Sequence, residues 1–107
     1  MLKKATILAL AIMTFNTTAS VTNHSGEIAN MRTWVSGSNT YGVWVSLKNN
    51  PSICPGGFYL PHTSDNKQLV YSTLLAARLS GKTIMIQAAD SSTYKIGDRC
   101  RINYVML

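Results

Sequence analysis

The stretch "DNKQLVYSTLLAARLSGKTIMIQA", residues 65–88, decides how the rest of this chain is read. Residues 66–80 contain neither glycine nor proline. Asp65 stands where an N-cap carboxylate would, and Gln68 follows at capping-box spacing. Gly81 sits where a left-handed C′ residue ends a helix. At about 100° per residue, Val70, Leu74 and Ala77 form one stripe, and Leu75 and Leu79 a second, with Tyr71 between. One stripe suffices to dock a helix on a sheet. The second either meets another surface or sinks the helix deeper into a small core. Immediately after Gly81 the apolar period changes to two, with Ile84, Ile86 and Ala88 on one face of a strand.

The flanks read as β-structure. Glu27–Val35 (EIANMRTWV) carries strand-type residues with a broken alternation, which predicts a bulge or bend. "SGSNTYG" (36–42) is rich in turn formers. Tyr41–Lys48 then alternates, with Tyr41, Val43, Val45 and Leu47 on one face and Gly42, Trp44, Ser46 and Lys48 on the other. These two runs make a hairpin. Pro55-Gly56-Gly57 leads into a short strand, Phe58-Tyr59-Leu60, which Pro61 stops because it has no N–H to donate. "ADSSTYKIGD" (89–98) reads as a loop, and Cys100–Leu107 as a last strand with Cys100, Ile102, Tyr104 and Met106 on one face. The expected fold is mainly β with one helix: five strands in the sequence order β-β-β-α-β-β.

The N-terminus speaks to compartment. Met1-Leu2-Lys3-Lys4 is a short positive segment, Ala5–Phe15 is an almost unbroken apolar run, and Asn16-Thr17-Thr18-Ala19-Ser20 is small and polar. That is the pattern of a cleaved secretory signal peptide, and the Lys-Lys start suggests a bacterium. The run is shorter than the roughly 18–20 residues that span a bilayer, so no membrane span is expected. Residues 1–20 are therefore read as signal, and 21–107 as one domain, secreted or periplasmic. With Lys3 and Lys4 removed, the formal charge falls from +6 to about +4. The basic residues are scattered, and only Arg99 and Arg101 cluster, which argues against a nucleic-acid partner.

An exported domain this small often needs a covalent staple. Cys54 and Cys100 are the two cysteines of the chain, and an oxidising compartment favours a disulfide between them. Other chemistry is scarce. The four carboxylates are Glu27, Asp65, Asp90 and Asp98, with nothing to mark a catalytic pair. His24 and His62 have no companion cluster for a metal and read as exposed loop residues. No enzyme, metal or cofactor is expected. Recognition is better supplied. Trp44, opposite Val43 and Val45, should point outward, and Trp34, Ser36, Ser38, Asn39 and Tyr41 surround the first hairpin turn. Indole and phenol faces beside hydroxyls and amides suit a sugar ring or a partner's surface.

A helix between the third and fourth of five strands is the plan of the OB-fold, a partly open Greek-key barrel. Within that plan, the run from Tyr71-Ser72-Thr73-Leu74-Leu75 through Ser80-Gly81-Lys82-Thr83-Ile84-Met85-Ile86 resembles the B subunits of bacterial AB5 toxins, of the subtilase-cytotoxin and pertussis-like kind. The likeness is one of layout, from Tyr41 onward. It implies an exported, non-catalytic subunit that binds a cell-surface glycan or glycoprotein. It also implies a homo-oligomer, a pentamer if toxin-like, with Tyr71, Leu75 and Leu79 at the interface and a separate catalytic subunit as partner. The alternative is a monomeric exported or periplasmic interaction module or inhibitor.

Overall fold

The chain pairs into the strands β1 (Val21–Gly26), β2 (Ile28–Thr33), β3 (Tyr41–Leu47) and β4 (Phe58–Pro61). The helix α1 (Lys67–Ser80), β5 (Ile84–Ala89) and β6 (Cys100–Met106) follow. The computed structural model describes residues 21–34, 37, 38 and 40–107, so the expected signal segment, Ser36 and Asn39 lie outside the described residues. The strands form one sheet in the order β1-β5-β6-β4-β3-β2. Every neighbouring pair is antiparallel except β4 with β6.

The expected class, mainly β with one helix, is what the chain adopts, but the sheet is six-stranded and unclosed and not a five-stranded barrel. The difference lies at Glu27, where sequence reading began the first strand. The extended chain starts earlier, at Val21, and Glu27 divides it. β1 pairs with β5 up to Gly26↔Ile84, whereas β2 pairs with β3 from Ile28↔Leu47. The Glu27 carbonyl accepts the Lys48 amide at 2.9 Å, and its carboxylate meets the Lys48 ammonium at 2.9 Å. The two outermost strands of the sheet are thus consecutive in the chain, separated by one residue.

Three irregularities set which side chains face where. The registers step from Ile28↔Leu47 to Asn30↔Ser46, from Tyr41↔Pro61 to Val43↔Leu60, and from Ala88↔Ile102 to Gln87↔Tyr104. Each step inserts one extra residue, at Ala29, Gly42 and Asn103, and each reverses the in–out alternation beyond it. The single-face reading of Tyr41 with Val43, and of Tyr104 and Met106 with Cys100, is corrected accordingly. Tyr104 and Met106 are exposed, and Val105 packs against the core in their place.

The inner face collects Ile28, Val43, Val45, Leu47, Phe58, Leu60, Ile84, Ile86, Ala88 and Ile102, with Leu74 and Ala77 of α1 set upon them. Burial of this apolar surface is the main stabilising term, at about 25 cal/mol per Å². The helix ends as expected, with Gly81 at φ 68° and the Lys82 amide on the Ala77 carbonyl at 3.1 Å. Its start differs. The helix begins at Lys67, with Asn66 in the cap position and no side-chain cap bond, so Asp65 falls one residue too early and the capping box does not form. The Lys67 ammonium instead donates to the His62 carbonyl and ties the first turn to the end of β4.

Cys54 and Cys100 are joined, with their Cα atoms 5.5 Å apart across 46 residues of sequence. Both are fully buried. Replacing both by alanine should lower stability by about 4 kcal/mol in the loop-entropy picture. Urea unfolding of the two proteins measures this. Two titratable thiols in the untreated native protein would contradict the pairing.

Candidate functional site

The extra residue at Gly42 positions the site. It turns Tyr41 away from the core side occupied by Val43 and lays its ring 5.2 Å from Trp34 and 5.5 Å edge-on from Tyr59. The Ser38 hydroxyl accepts the amides of Thr40 and Tyr41 at 3.2 and 3.0 Å, and the Trp34 amide donates to the Gly42 carbonyl at 3.2 Å. These bonds hold the described ends of the first hairpin turn. A Cβ at Gly42 would come within 2.7 Å of Lys67 Cδ and 3.2 Å of the Pro61 carbonyl, so glycine lets the first turn of α1 approach β3 closely. Between them opens a cleft of about 600 Å³, with Trp34, Ser38 and Tyr41 on the hairpin side and Lys67, Gln68, Tyr71 and Ser72 on the helix side.

A second cleft, of about 390 Å³, lies between the end of β4 and the loop before β6, lined by Thr40, Tyr59, Thr93, Tyr94 and Arg101 among others. His62 borders both clefts. The Arg101 guanidinium lies 3.9 Å above the Tyr94 ring centroid, and the Tyr59 hydroxyl donates to the Tyr94 carbonyl. Arg99 sits 5.4 Å over Tyr41 and donates to its hydroxyl at 3.2 Å.

Sheet register explains the convergence. Arg32 pairs with Trp44, Trp44 with Tyr59, and Tyr59 with Arg101, so one row crosses β2, β3, β4 and β6. Aligned side chains on one face are close enough to stack. Arg32 reaches 5.6 Å from Trp34 and 5.5 Å from Trp44, spacings at which a guanidinium is attracted to an indole face.

Of the expected binding residues, Trp34, Ser38 and Tyr41 are brought together in the first cleft. Trp44 lines neither cleft. It is half-buried on the outer face, and its Nε1–H donates to the Gly56 carbonyl at 2.8 Å. Next to that contact Gly57 has φ 92°, and a Cβ there would stand 2.5 Å from the Val45 carbonyl and 3.2 Å from Trp44 Nε1. Trp44 thus clasps the disulfide loop while its ring supports Arg32. Of the expected interface residues, Tyr71 packs on the core and lines the first cleft, Leu75 is half-buried, and Leu79 is 78% exposed. Leu69, on the same helix, is 69% exposed. Lys67, Tyr94 and Arg101 line the clefts and were missed, because contacts distant in sequence bring them there.

Three of the four carboxylates are engaged elsewhere. Glu27 pairs with Lys48, the Asp98 side chain lies against Gly56, and Asp90 accepts the Thr22 hydroxyl at 2.8 Å. Thr22 has a single proton to give, so the 2.8 Å contact between its oxygen and His24 Nε2 is donated by the histidine. His24 is therefore a half-buried residue of β1, tilted 5.8 Å from Phe58, and not the exposed loop residue expected. The surrounding extended chain, again begun too late by sequence reading, is the reason.

Burial of Tyr59 pushes its phenol above the ordinary value of 10.0, with Arg101 opposing the shift and Tyr41 adding to it. A raised pKa in the folded state means that the native protein holds this proton more tightly than the unfolded chain. The associated stability is complete below pH 10 and is lost as pH rises through the folded-state value. Melting temperature should accordingly fall less steeply above pH 10 in Tyr59→Phe than in the wild type, and parallel declines would contradict this. Gly57→Ala should cost at least 1 kcal/mol because of its backbone conformation and the carbonyl contact, and it should alter Trp44 fluorescence. No family model matches this chain, and neither a curated protein nor a solved structure matches it.

Proposed function

We propose that this chain is an exported, non-catalytic binding subunit that recognises a glycan and assembles with copies of itself, after the manner of an AB5 toxin B subunit. The observation that carries the reading is the first cleft. Trp34 and Tyr41 supply flat apolar faces while Ser38, Gln68, Ser72 and Lys67 supply donors and acceptors around them. Sugar rings present C–H faces and a rim of hydroxyls, and they fit this mixture of stacking platform and convergent polar groups. The absence of side-chain carboxylates from the lining of both clefts supports recognition without hydrolysis.

The OB-fold reading has a specific support. If β1 and β2 are counted as halves of one strand bent at Glu27, the number of strands falls to five. The helix then lies between the third and fourth. The order in the sheet then runs round from one half of the first strand to the other. Export is supported by the disulfide, a bond that persists in oxidising compartments. Among the described residues no helix is long and apolar enough to cross a membrane. Assembly is supported by the outer side of α1, where Leu69 and Leu79 stand exposed beside Ser72, Ala76 and Ser80 without a charged neighbour among those positions.

Two measurements on the mature protein test this. On a glycan array, Trp34→Ala should lose binding by tenfold or more, on the order of the stacking contribution of one aromatic platform. Binding that is unchanged in the variant would remove the cleft from consideration. Light scattering should give an oligomer that Leu79→Glu disrupts. A wild-type monomer at high concentration would favour the interaction-module alternative.

A further inference from the structure

We propose that Asp90 receives the α-ammonium of the mature chain, so that removal of residues 1–20 completes the anchoring of β1. This goes beyond the glycan reading and rests only on its export part, in which the mature chain begins at Val21.

The register brings the two groups to one corner of the sheet. β1 begins at Val21, which pairs with Ala89, and Asp90 follows Ala89 at the end of β5. Thr22, next to Val21, already gives its hydroxyl proton to Asp90 Oδ2 at 2.8 Å. Asp90 is the one buried carboxylate among the described residues, at 9% exposure. Buried carboxylates are normally paired with a cation, yet the single ion pair among the described residues is Lys48–Glu27. Arg101, across the ladder from Ala89, stacks on Tyr94 instead. His24 reaches Asp90 only through Thr22. Directly after Asp90, the Ser91 hydroxyl oxygen is buried without a partner among the described residues. A carboxylate short of a cation and a hydroxyl short of a bond thus stand where the mature chain starts.

Hydrolysis of the 20–21 peptide bond supplies what is missing. The oxygen of the consumed water leaves on the carboxylate of the signal segment, and both its protons pass to the Val21 nitrogen. A neutral amide with one N–H becomes an ammonium with three donors and a unit charge. An ammonium against a carboxylate makes a charge-assisted bond, about twice as strong as a neutral one. Before the cut the amide cannot supply that charge. β1, an edge strand paired with β5 alone, is then held less firmly, and its docking is favoured only after export.

The test compares the mature protein beginning at Val21 with one carrying a Gly-Ser extension, each as wild type, Asp90→Asn and Asp65→Asn. Asp65, exposed in the loop before α1, is the charge-matched control. Urea unfolding should give the extended wild type a folding constant about tenfold lower, the scale of one hydrogen bond to a charged group. The same gap is expected in Asp65→Asn, and a gap of less than about twofold in Asp90→Asn. Should Asp90→Asn fail to fold, the wild-type α-amine must still react several-fold more slowly with an acylating reagent than that of a Val-Thr-Asn peptide. Equal stability of the two wild-type N-termini, equal gaps in all three proteins, or an α-amine as reactive as the peptide's overturns the pairing with Asp90 and leaves export in place. Mass spectrometry of the exported protein should find the N-terminus at Val21 or one residue before it. A start elsewhere, or retention of residues 1–20, overturns the export reading and this proposal with it. The glycan array result is independent of both.

Discussion

The junction of β4 with β6 is the constraint on which the rest of the molecule depends. It is the one parallel pairing in the sheet and spans only two register pairs, Phe58↔Cys100 and Tyr59↔Arg101. So short a ladder has little strength of its own. It is reinforced by the Cys54–Cys100 bond, by the Cys100 amide on the Gly57 carbonyl at 3.0 Å, and by the Gly56 amide on the Asp98 carbonyl at 2.8 Å. Parallel strands need a long crossover, here supplied by α1 and β5, and closing that loop is entropically costly. The disulfide lowers the cost by restricting the unfolded chain.

The walls of both clefts hang from this junction. Tyr59 and Arg101 are neighbours across it and form the wall of the second cleft; Tyr41, turned outward by the extra residue at Gly42, leans on Tyr59 and forms the wall of the first. The same loop supplies the Gly56 carbonyl that holds Trp44, and Trp44 supports Arg32. Arginines on this face are held against aromatic rings and not against carboxylates. Such stacking is individually weak, about 0.5–1 kcal/mol at exposed sites. Its consequence is geometric, because it orients each guanidinium while leaving its hydrogen-bonding edge open.

Much of this was legible in the residues. The helix end at Gly81, the inward faces of Val43, Val45, Ile84, Ile86 and Ala88, and the hairpin of β2 with β3 follow from period and turn chemistry. So did the Cys54–Cys100 pairing, from compartment and count. Trp34, Ser38 and Tyr41 were identifiable as neighbours because one turn brings them together. What failed had a common cause. Asp65 carries cap chemistry, but where a helix starts depends on what its first turn packs on, and here Lys67 is held by the His62 carbonyl. His24 and Tyr104 were misplaced because a strand's partners, and its bulges, are properties of two chains side by side.

The sequence by itself determined the class of the fold, its covalent staple and the aromatic, carboxylate-poor make-up of the first hairpin, since these depend on composition and on periodicities within single segments. Only the tertiary structure decided that the first extended run divides at Glu27 between two partners, and that the Trp44 indole N–H meets a loop carbonyl. It alone joined Tyr59, Tyr94 and Arg101 in one cleft. Those outcomes turn on cross-strand register, and one inserted residue, as at Gly42, sends a side chain to the opposite face.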